Sequence, residues 1–569
     1  MLISNKEIAD TFEEIASLLA IDEANPFRVR AYQNAARTIR GMGTELSELV
    51  SQKSDLSRLP YIGKDLAGQI EEILRTGRSA TLRTIRKDIP GTLVELLEIP
   101  GLGPSRVRKL YVELGIRDRD ELARAAEQHR IAALPGFGEK TEQRLMGVLR
   151  AHRQKKGRFS IADAAKWMEP LVEYLRKTPG ALDVLAAGSY RRRKATIGDL
   201  DILVVSAPGE DAADHLARYS EVREVISSGM TRAAVTLNSG IQVDVRSISP
   251  HCAGAALHYF TGSKAHSIQV RRRGQRLGLK VSEYGVFRRD KRIAGKTEKS
   301  LFKALGLPYI EPELREGRGE LAAAEEDRLP DLVCADDVRG DLHVVYNAPG
   351  PSLAEWIQAA RRRGLEYFAP AFHWPRSPRK NHRLELQDYC EQVDELNAKR
   401  KSFTLFKTIE VDIPKDGTLR LSASILSQVD LVIAGVAGDF DLSRHKQTAR
   451  ILKAMDHPAC TMLARPIDRS STELGAMHVD MVKIADHARE RGCLLELDSR
   501  PDRLDLADQY AHVAKERGAL VCVNSVAESA GDLADIAFGI DQARRGWLEA
   551  RNLANTRSTG KLRELLGVR

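Results

Sequence analysis

The run Gly188-Ser189-Tyr190-Arg191-Arg192-Arg193, then Gly198-Asp199-Leu200-Asp201 and the apolar tail Ile202-Leu203-Val204-Val205, constrains this chain more than any other segment. The tail reads as a buried β-strand with two acids at its start. Residues i and i+2 of a strand share a face, so Asp199 and Asp201 project together. Two carboxylates held that close repel unless a cation neutralises them. Hard divalent ions such as Mg²⁺ or Mn²⁺ take oxygen ligands. A pair of them roughly 3.5–4 Å apart can activate an attacking oxygen and stabilise a leaving one. Upstream, Gly188 and Ser189 offer a backbone N–H and a hydroxyl to phosphate oxygens, and Arg191 or Arg192 can neutralise them. A phosphate-binding turn followed by a metal-binding strand is the layout of a nucleotidyl-transfer site. A third acid fits it. Gly240-Ile241-Gln242-Val243-Asp244-Val245-Arg246 alternates apolar and polar residues as a half-buried strand does, and Asp244 can meet the other two from a neighbouring strand.

A chain of 569 residues exceeds one hydrophobic core and must divide into several domains. Its formal net charge of +9, from 88 basic and 79 acidic residues, suits a polyanionic partner. Clusters such as Arg191-Arg192-Arg193-Lys194 and Arg271-Arg272-Arg273 flank the acidic site. The six cysteines (252, 334, 390, 460, 493 and 522) include no C-x-x-C pair, which argues against a zinc ribbon or a disulfide framework and fits a reducing cytosol. The N-terminus lacks a secretory pattern, and no apolar run reaches the roughly eighteen residues of a membrane span. A soluble, cytoplasmic protein with no membrane partner is expected.

Near the N-terminus Ile8, Phe12, Ile15, Leu18 and Leu19 fall at helical spacing. Three similar turns follow: Leu59-Pro60-Tyr61-Ile62-Gly63-Lys64, Ile99-Pro100-Gly101-Leu102-Gly103-Pro104 and Leu134-Pro135-Gly136-Phe137-Gly138-Glu139. Each precedes a helical run. Pro starts a tight turn, Gly permits positive φ, and the following helix begins with free N–H groups that can face a phosphate. These resemble helix-hairpin-helix motifs, which grip a DNA backbone without reading bases. Glu139 would face phosphate, so the third is expected to be structural.

On the G-S-x-R-R…D-x-D run and on Tyr259-Phe260-Thr261-Gly262-Ser263, the chain resembles the family X DNA polymerases. The match is to the bacterial kind with a C-terminal polymerase-and-histidinol-phosphatase (PHP) domain, and it covers essentially the whole length. The resemblance implies that Asp199, Asp201 and Asp244 hold two Mg²⁺ or Mn²⁺ ions. Gly188, Ser189 and Arg192 would bind the triphosphate of a deoxynucleotide. Tyr259 and Phe260 would lie against its sugar and base, with Gly262 and Ser263 beside them. Gln242 stands where some members carry an Arg next to the third Asp. Arg28, Tyr32, Gly63, Lys64, Gly101 and Gly103 are the expected DNA contacts, the first two with Lys64 at a 5′-phosphate. The family's Schiff-base lysine position is occupied by Gln69, which has no amine to react.

The resemblance also implies a domain plan. A helical, lyase-like DNA-binding domain spans 1–85 and a helix-hairpin-helix duplex-binding domain 86–155. An α/β nucleotidyltransferase palm follows at 156–250 and a thumb at 251–318. Residues 319–335, charged and Ala-rich, read as a linker. From about 335, strand and helix patterns alternate to the end, the signature of a parallel (β/α) barrel, here PHP-like over 336–569. A PHP barrel holds three metals on His, Asp and Glu ligands at its strand ends and degrades DNA from the 3′ end. Here His343, His373 and Glu410 remain, while Val345, Phe372, Ala437, Arg465, Asn524 and Val526 occupy ligand positions. An apolar side chain or a guanidinium cannot replace an imidazole on a metal. Loss of the exonuclease is therefore expected.

The expectation is a monomeric, gap-filling DNA-directed DNA polymerase of DNA repair, acting on gapped or primer-template DNA with deoxynucleoside triphosphates. Two other readings compete. One is a nucleotidyltransferase for RNA or a small molecule, against which the hairpins and Tyr259-Phe260 stand. The other is a non-catalytic DNA-binding scaffold, against which the intact carboxylate triad stands.

Overall fold

The computed structural model describes residues 5–40, 42, 46–51, 54–99, 102–127, 130–132, 134–138, 142, 158–206, 212–229, 231–346, 350–375, 378–379, 381–400, 402–467 and 477–568. The chain forms two compact units, Met1–Gly157 and Arg158–Arg569.

The first unit is helical. Its first helix, Asn5–Ile21, is amphipathic as the spacing predicts: Ile8, Phe12, Ile15 and Leu19 pack on Tyr32, Ala35 and Ile39 of helix Pro26–Arg40. A second cluster gathers Leu93, Leu96, Val107, Leu110 and Leu122. Helices Lys64–Thr76 and Pro104–Leu114 begin at Gly63 and Gly103, neither of which offers a side-chain cap. Gly63, Lys64 and Gly103 are exposed, so the first N–H groups of both helices are open to an anion. Gly101 lies outside the described residues. Glu139 of the third hairpin lies outside the described residues; after it, buried Glu142 accepts from the backbone N–H groups of Ile131 and Ala132 at 2.9 and 3.0 Å.

The second unit begins with a five-stranded sheet. Its order is Ala181–Ala186, Asp199–Ser206, Gln242–Ile248, Arg232–Leu237 and Val222–Gly229. The central pair, Asp199–Ser206 and Gln242–Ile248, is parallel, and the other pairings are antiparallel. Helix Ile161–Leu175 buries Ala164, Met168 and Leu171 with Ile202 and Val204 of the acid-bearing strand. After the sheet, helix Ala253–Thr261, helix Lys264–Arg276, a three-stranded sheet over 280–294 and helix Glu298–Ala304 share one core.

Residues 319–335, expected as a linker, instead carry helix Glu320–Glu325, whose Leu321 and Ala324 belong to that core. Glu320 is buried, paired with His266 Nδ1 at 2.8 Å, and accepts from the N–H groups of Gly317 and Arg318. The Ala-rich composition reflects close packing against the thumb.

Eight strands then build a parallel sheet running Gly340–Tyr346, Tyr367–Trp374, Thr408–Ile413, Leu431–Val436, Met462–Ala464, Leu494–Asp498 and Val521–Asn524, with Thr404–Leu405 beside the second. Val526 N–H donates to His343 O at 3.0 Å and Val345 N–H to Ala527 O at 2.9 Å, so the first strand meets the chain just after the last. The barrel is nearly closed. Its interior is filled by Leu342, Ala369, Ala371, Ile433, Met462, Leu494 and Cys522, as the apolar strand sequences require.

Candidate active site

Parallel pairing places Asp199 opposite Gln242 and Asp201 opposite Asp244. Register alone thus brings the third acid to the other two, as the alternation of residues 240–246 predicts. The turn Gly188–Arg191 sits against this strand, tied by Ala187 N–H donating to Asp201 O at 2.8 Å. Gly188 has φ of 60°, and a Cβ there would lie 2.0 Å from Asp201 Oδ2. Only glycine lets the turn approach the carboxylate so closely.

The site is electrostatically unsettled. Burial, reinforced by Asp199 and Asp244, pushes the Asp201 carboxyl up to about 7. Three acids at one edge of the sheet, with Asp201 raised by its two neighbours, form a donor set suited to hard divalent cations. Among the described residues, no three such side chains are already drawn onto one point. Asp244 explains why: its two oxygens accept from Arg232 Nη2 at 2.8 Å and Gln242 Nε2 at 2.7 Å. Arg232 lies on the adjacent strand and was missed in the sequence. It supplies the guanidinium that position 242 lacks.

The two candidate phosphate arginines separate. Arg191 donates to both oxygens of Glu298 at 2.9 and 2.6 Å and to Thr261 Oγ1 at 2.7 Å, bracing the turn against the thumb. Burial pushes Glu298 up, but Arg191 and Arg315 outweigh it and hold the carboxyl well below the usual range. Arg192 donates from Nε to Glu316 at 3.0 Å and from Nη1 to Thr261 O. Ser189 Oγ is buried with no hydrogen-bond partner among the described residues, a donor still to be satisfied. Phe260 packs under Arg246, whose Cζ lies 4.4 Å from the ring centroid, and Arg271 approaches Tyr259 at 5.8 Å. Tyr259 is 36% exposed, with a face available to a ligand. Gly262 ends its helix at φ of 70°, and Ser263 caps the next helix by accepting from His266 N–H.

Of the expected 5′-phosphate contacts, Arg28 and Lys64 are exposed, but Tyr32 is not. Tyr32 is buried, edge-on to Phe12, and its hydroxyl donates to Gln69 Oε1 at 3.1 Å. Its ring belongs to the helical core, and its polar tip is taken up by Gln69.

In the barrel, His343 is fully buried between Glu496 Oε1 at 2.7 Å and Glu410 Oε2 at 3.6 Å. Arg465 Nη2 pairs with the other oxygen of Glu410 at 2.6 Å, and Asn524 Nδ2 donates to Glu496 at 2.9 Å. Asp498 pairs with Arg500 at 3.3 Å. Burial alone would lower the His343 pKa, but Glu496 and Glu410 push it up to about 10. The Arg465 guanidinium and the buried His343 imidazole therefore face the acids Glu410 and Glu496. His373 is exposed, in register with Glu410 but outside the network. Glu496 and Asp498 were not singled out in the sequence; the signal was two acids alternating with leucine on the buried strand Leu494–Asp498.

Comparison with known proteins decides the family. Residues 256–316 match the DNA polymerase beta thumb, residues 3–79 a helix-hairpin-helix domain and residues 93–151 a SAM-like helix-hairpin-helix tandem. The chain is 31% identical over 561 residues, 97% of either sequence, to the DNA polymerase/3′-5′ exonuclease PolX of Bacillus subtilis (strain 168). The chain belongs to the family X DNA polymerases. DNA polymerase lambda of Arabidopsis thaliana is 26% identical over 55% of the chain and 62% of its own length. The Rattus norvegicus DNA polymerase lambda is 25% identical over 55% and 56%. As a family X enzyme, the chain is a divalent-metal-dependent, DNA-directed DNA polymerase with helix-hairpin-helix DNA-binding domains. No helix among the described residues is long and apolar enough to cross a membrane.

Proposed function

We propose that the chain fills gaps in damaged DNA by template-directed transfer of deoxynucleotides to a primer 3′-hydroxyl. The observation that carries this reading is the parallel register of Asp201 with Asp244 beneath the Gly188 turn. Asp199, Asp201 and Asp244 would hold a pair of Mg²⁺ or Mn²⁺ ions. When bound, these activate the attacking hydroxyl and neutralise charge gathering on the triphosphate. The chain's own groups orient the reactants. Ser189 and the backbone of its turn donate to phosphate oxygens, Arg192 neutralises them, and Tyr259 and Phe260 line the nucleotide. Gly63, Lys64 and Gly103 present helix N-termini to the DNA backbone. The division into a lyase-like domain (1–85), a duplex-binding domain (86–155), palm (156–250), thumb (251–318) and PHP-like barrel (336–569) belongs to the same reading, with residues 319–335 packed on the thumb. So does a monomer working in the cytoplasm on gapped or primer-template DNA with deoxynucleoside triphosphates. Primer extension on a one-nucleotide gap with Mg²⁺ or Mn²⁺ tests it; no incorporation with either metal refutes it.

DNA affinity should fall steeply with salt and vary little with sequence. Each phosphate neutralised on duplex DNA adds about −0.9 to the log–log salt slope. A chain of residues 158–569 should show a shallower slope than the full protein. An unchanged slope would move the DNA grip to the second unit.

The barrel is proposed to have lost 3′→5′ exonuclease activity, because Val345, Phe372, Ala437, Arg465, Asn524 and Val526 stand where metal ligands would be and Arg465 pairs with Glu410 at 2.6 Å. In an Asp199→Ala/Asp201→Ala background, metal analysis should find well under one ion per chain, and single-stranded DNA should survive incubation with Mn²⁺. Binding of two or three ions with 3′ degradation, abolished by His343→Ala, would overturn this.

A further inference from the structure

The barrel packs against the palm and thumb at several places, and one of them is the turn that follows Gly188. Helix Ile536–Arg545 follows the last barrel strand. Gln542 and Arg545, three residues apart, share one face of it. Gln542 Nε2 donates to Arg193 O at 2.9 Å, and Arg545 Nη1 donates to Arg192 O at 2.6 Å. Two successive carbonyls of the turn are thus read by one helix face. Arg545 Nη1 also reaches Glu316 Oε1 at 3.0 Å, the same oxygen that accepts Arg192 Nε. Its Nη2 is fixed by Asp508 Oδ2 at 2.7 Å, on barrel helix Asp508–Arg517, and Asp508 also pairs with Arg318.

The Arg545 side chain is only 2% exposed. A buried guanidinium held from both sides has one orientation, and it transmits that orientation to whatever it bonds. Burial pushes Glu316 up, but Arg545 and Arg192 outweigh it, so the carboxylate stays ionised between them. Nothing in the polymerisation chemistry needs Arg545, Gln542 or Asp508. They come from a domain whose own acids face His343 and Arg465.

We infer that the barrel serves the polymerase as the anchor of its nucleotide site: Arg545, through Glu316 and the Arg192 carbonyl, is a positioning residue that aims Arg192 at the triphosphate of the incoming deoxynucleotide. This rests on the assignment of Arg192 to the triphosphate under Proposed function. With Arg545 removed, the turn keeps its tie to Asp201 through Ala187, so the carboxylates and primer end are undisturbed. What changes is the fraction of time Arg192 points correctly. The defect therefore falls on nucleotide affinity, with DNA binding and turnover at saturating nucleotide largely spared.

The test is single-nucleotide gap filling by the full chain with Arg545→Met, Arg545→Lys, Glu316→Gln and Arg192→Ala. Arg545→Met should raise the KM for deoxynucleotide about 10-fold, with kcat within about threefold and DNA Kd within about twofold of wild type. Arg545→Lys, which keeps a charge and three donors, should recover part of the loss. Glu316→Gln should raise KM about fivefold, and it decides the matter if Arg545→Met does not fold. A wild-type KM in both folded variants, or in Glu316→Gln where Arg545→Met is unfolded, overturns the proposal. So does a loss confined to kcat or DNA affinity. Arg192→Ala separates the two levels. If it leaves KM unchanged, the nucleotide assignment itself is wrong; if it raises KM while Arg545→Met and Glu316→Gln do not, only the anchoring role falls.

Discussion

Asp201→Ala is expected to slow nucleotide incorporation by on the order of 10³-fold while DNA affinity stays near wild type. Asp201 is the acid closest to both halves of the site. It is in register with Asp244, two residues from Asp199, and under the Gly188 turn that would carry the triphosphate. On the proposed function, its carboxylate would serve the primer end and the phosphate end together. The exposed hairpin termini that would grip DNA belong to the other unit and do not depend on it. Single-turnover extension and a binding titration on the same gapped duplex measure the two effects separately. Extension within tenfold of wild type would mean that the reaction centre lies elsewhere.

The same substitution should stabilise the metal-free fold. The Asp201 carboxyl is raised to about 7 from an ordinary 3.8. A raised acid weakens the folded state once pH passes its unfolded value, and the full penalty is present above its folded value. Removing it should therefore raise the Tm at pH 8 in chelator. A lowered Tm would show that the acid is satisfied by its neighbours.

Arg465→Met should destabilise the barrel by about 3 kcal/mol, the cost of leaving a buried acid without its partner. Glu410 would keep only His343 at 3.6 Å, and Glu496 and Asp498 would lose the attraction of the Arg465 charge. Methionine fills similar volume, so the loss would be electrostatic rather than a cavity. Three of the four tryptophans, Trp356, Trp374 and Trp547, lie in this domain, so fluorescence-detected denaturation reports its unfolding. Adding Glu410→Gln should recover much of the loss, because the unpaired charge is then gone. A single variant within about 1 kcal/mol of wild type would show that Arg465 is not the internal counter-charge of this site.

The chain's periodicity carried the parts of the protein that repeat. The apolar tail after Asp201 demanded a buried strand, the alternation of residues 240–246 a second one, and the strand–helix rhythm after 335 a parallel barrel. These signals are local, because a strand face or a helix stripe is set by neighbours two to four residues away. Local signals failed where the partner is distant in sequence. Glu320, Leu321 and Ala324 look like linker composition until His266 and the thumb core are placed beside them. Tyr32 looks like a phosphate contact until Gln69 takes its hydroxyl.

The acidic triad was written in the sequence because each acid's face follows from strand parity. What surrounds the triad was not. Arg232 reaches Asp244 from the adjacent strand, Glu298 holds Arg191 from 107 residues away, and Arg545 reaches the Arg192 carbonyl from 353. The sequence by itself determined which residues could do the chemistry, since backbone geometry assigns their direction within a few residues. Only the tertiary structure decided which arginine braces the turn against Glu298, which one Glu316 and Thr261 hold, and which acids in the barrel meet a cation of the chain's own. Those choices depend on long side chains meeting across separate elements, and no spacing along the chain encodes such a meeting.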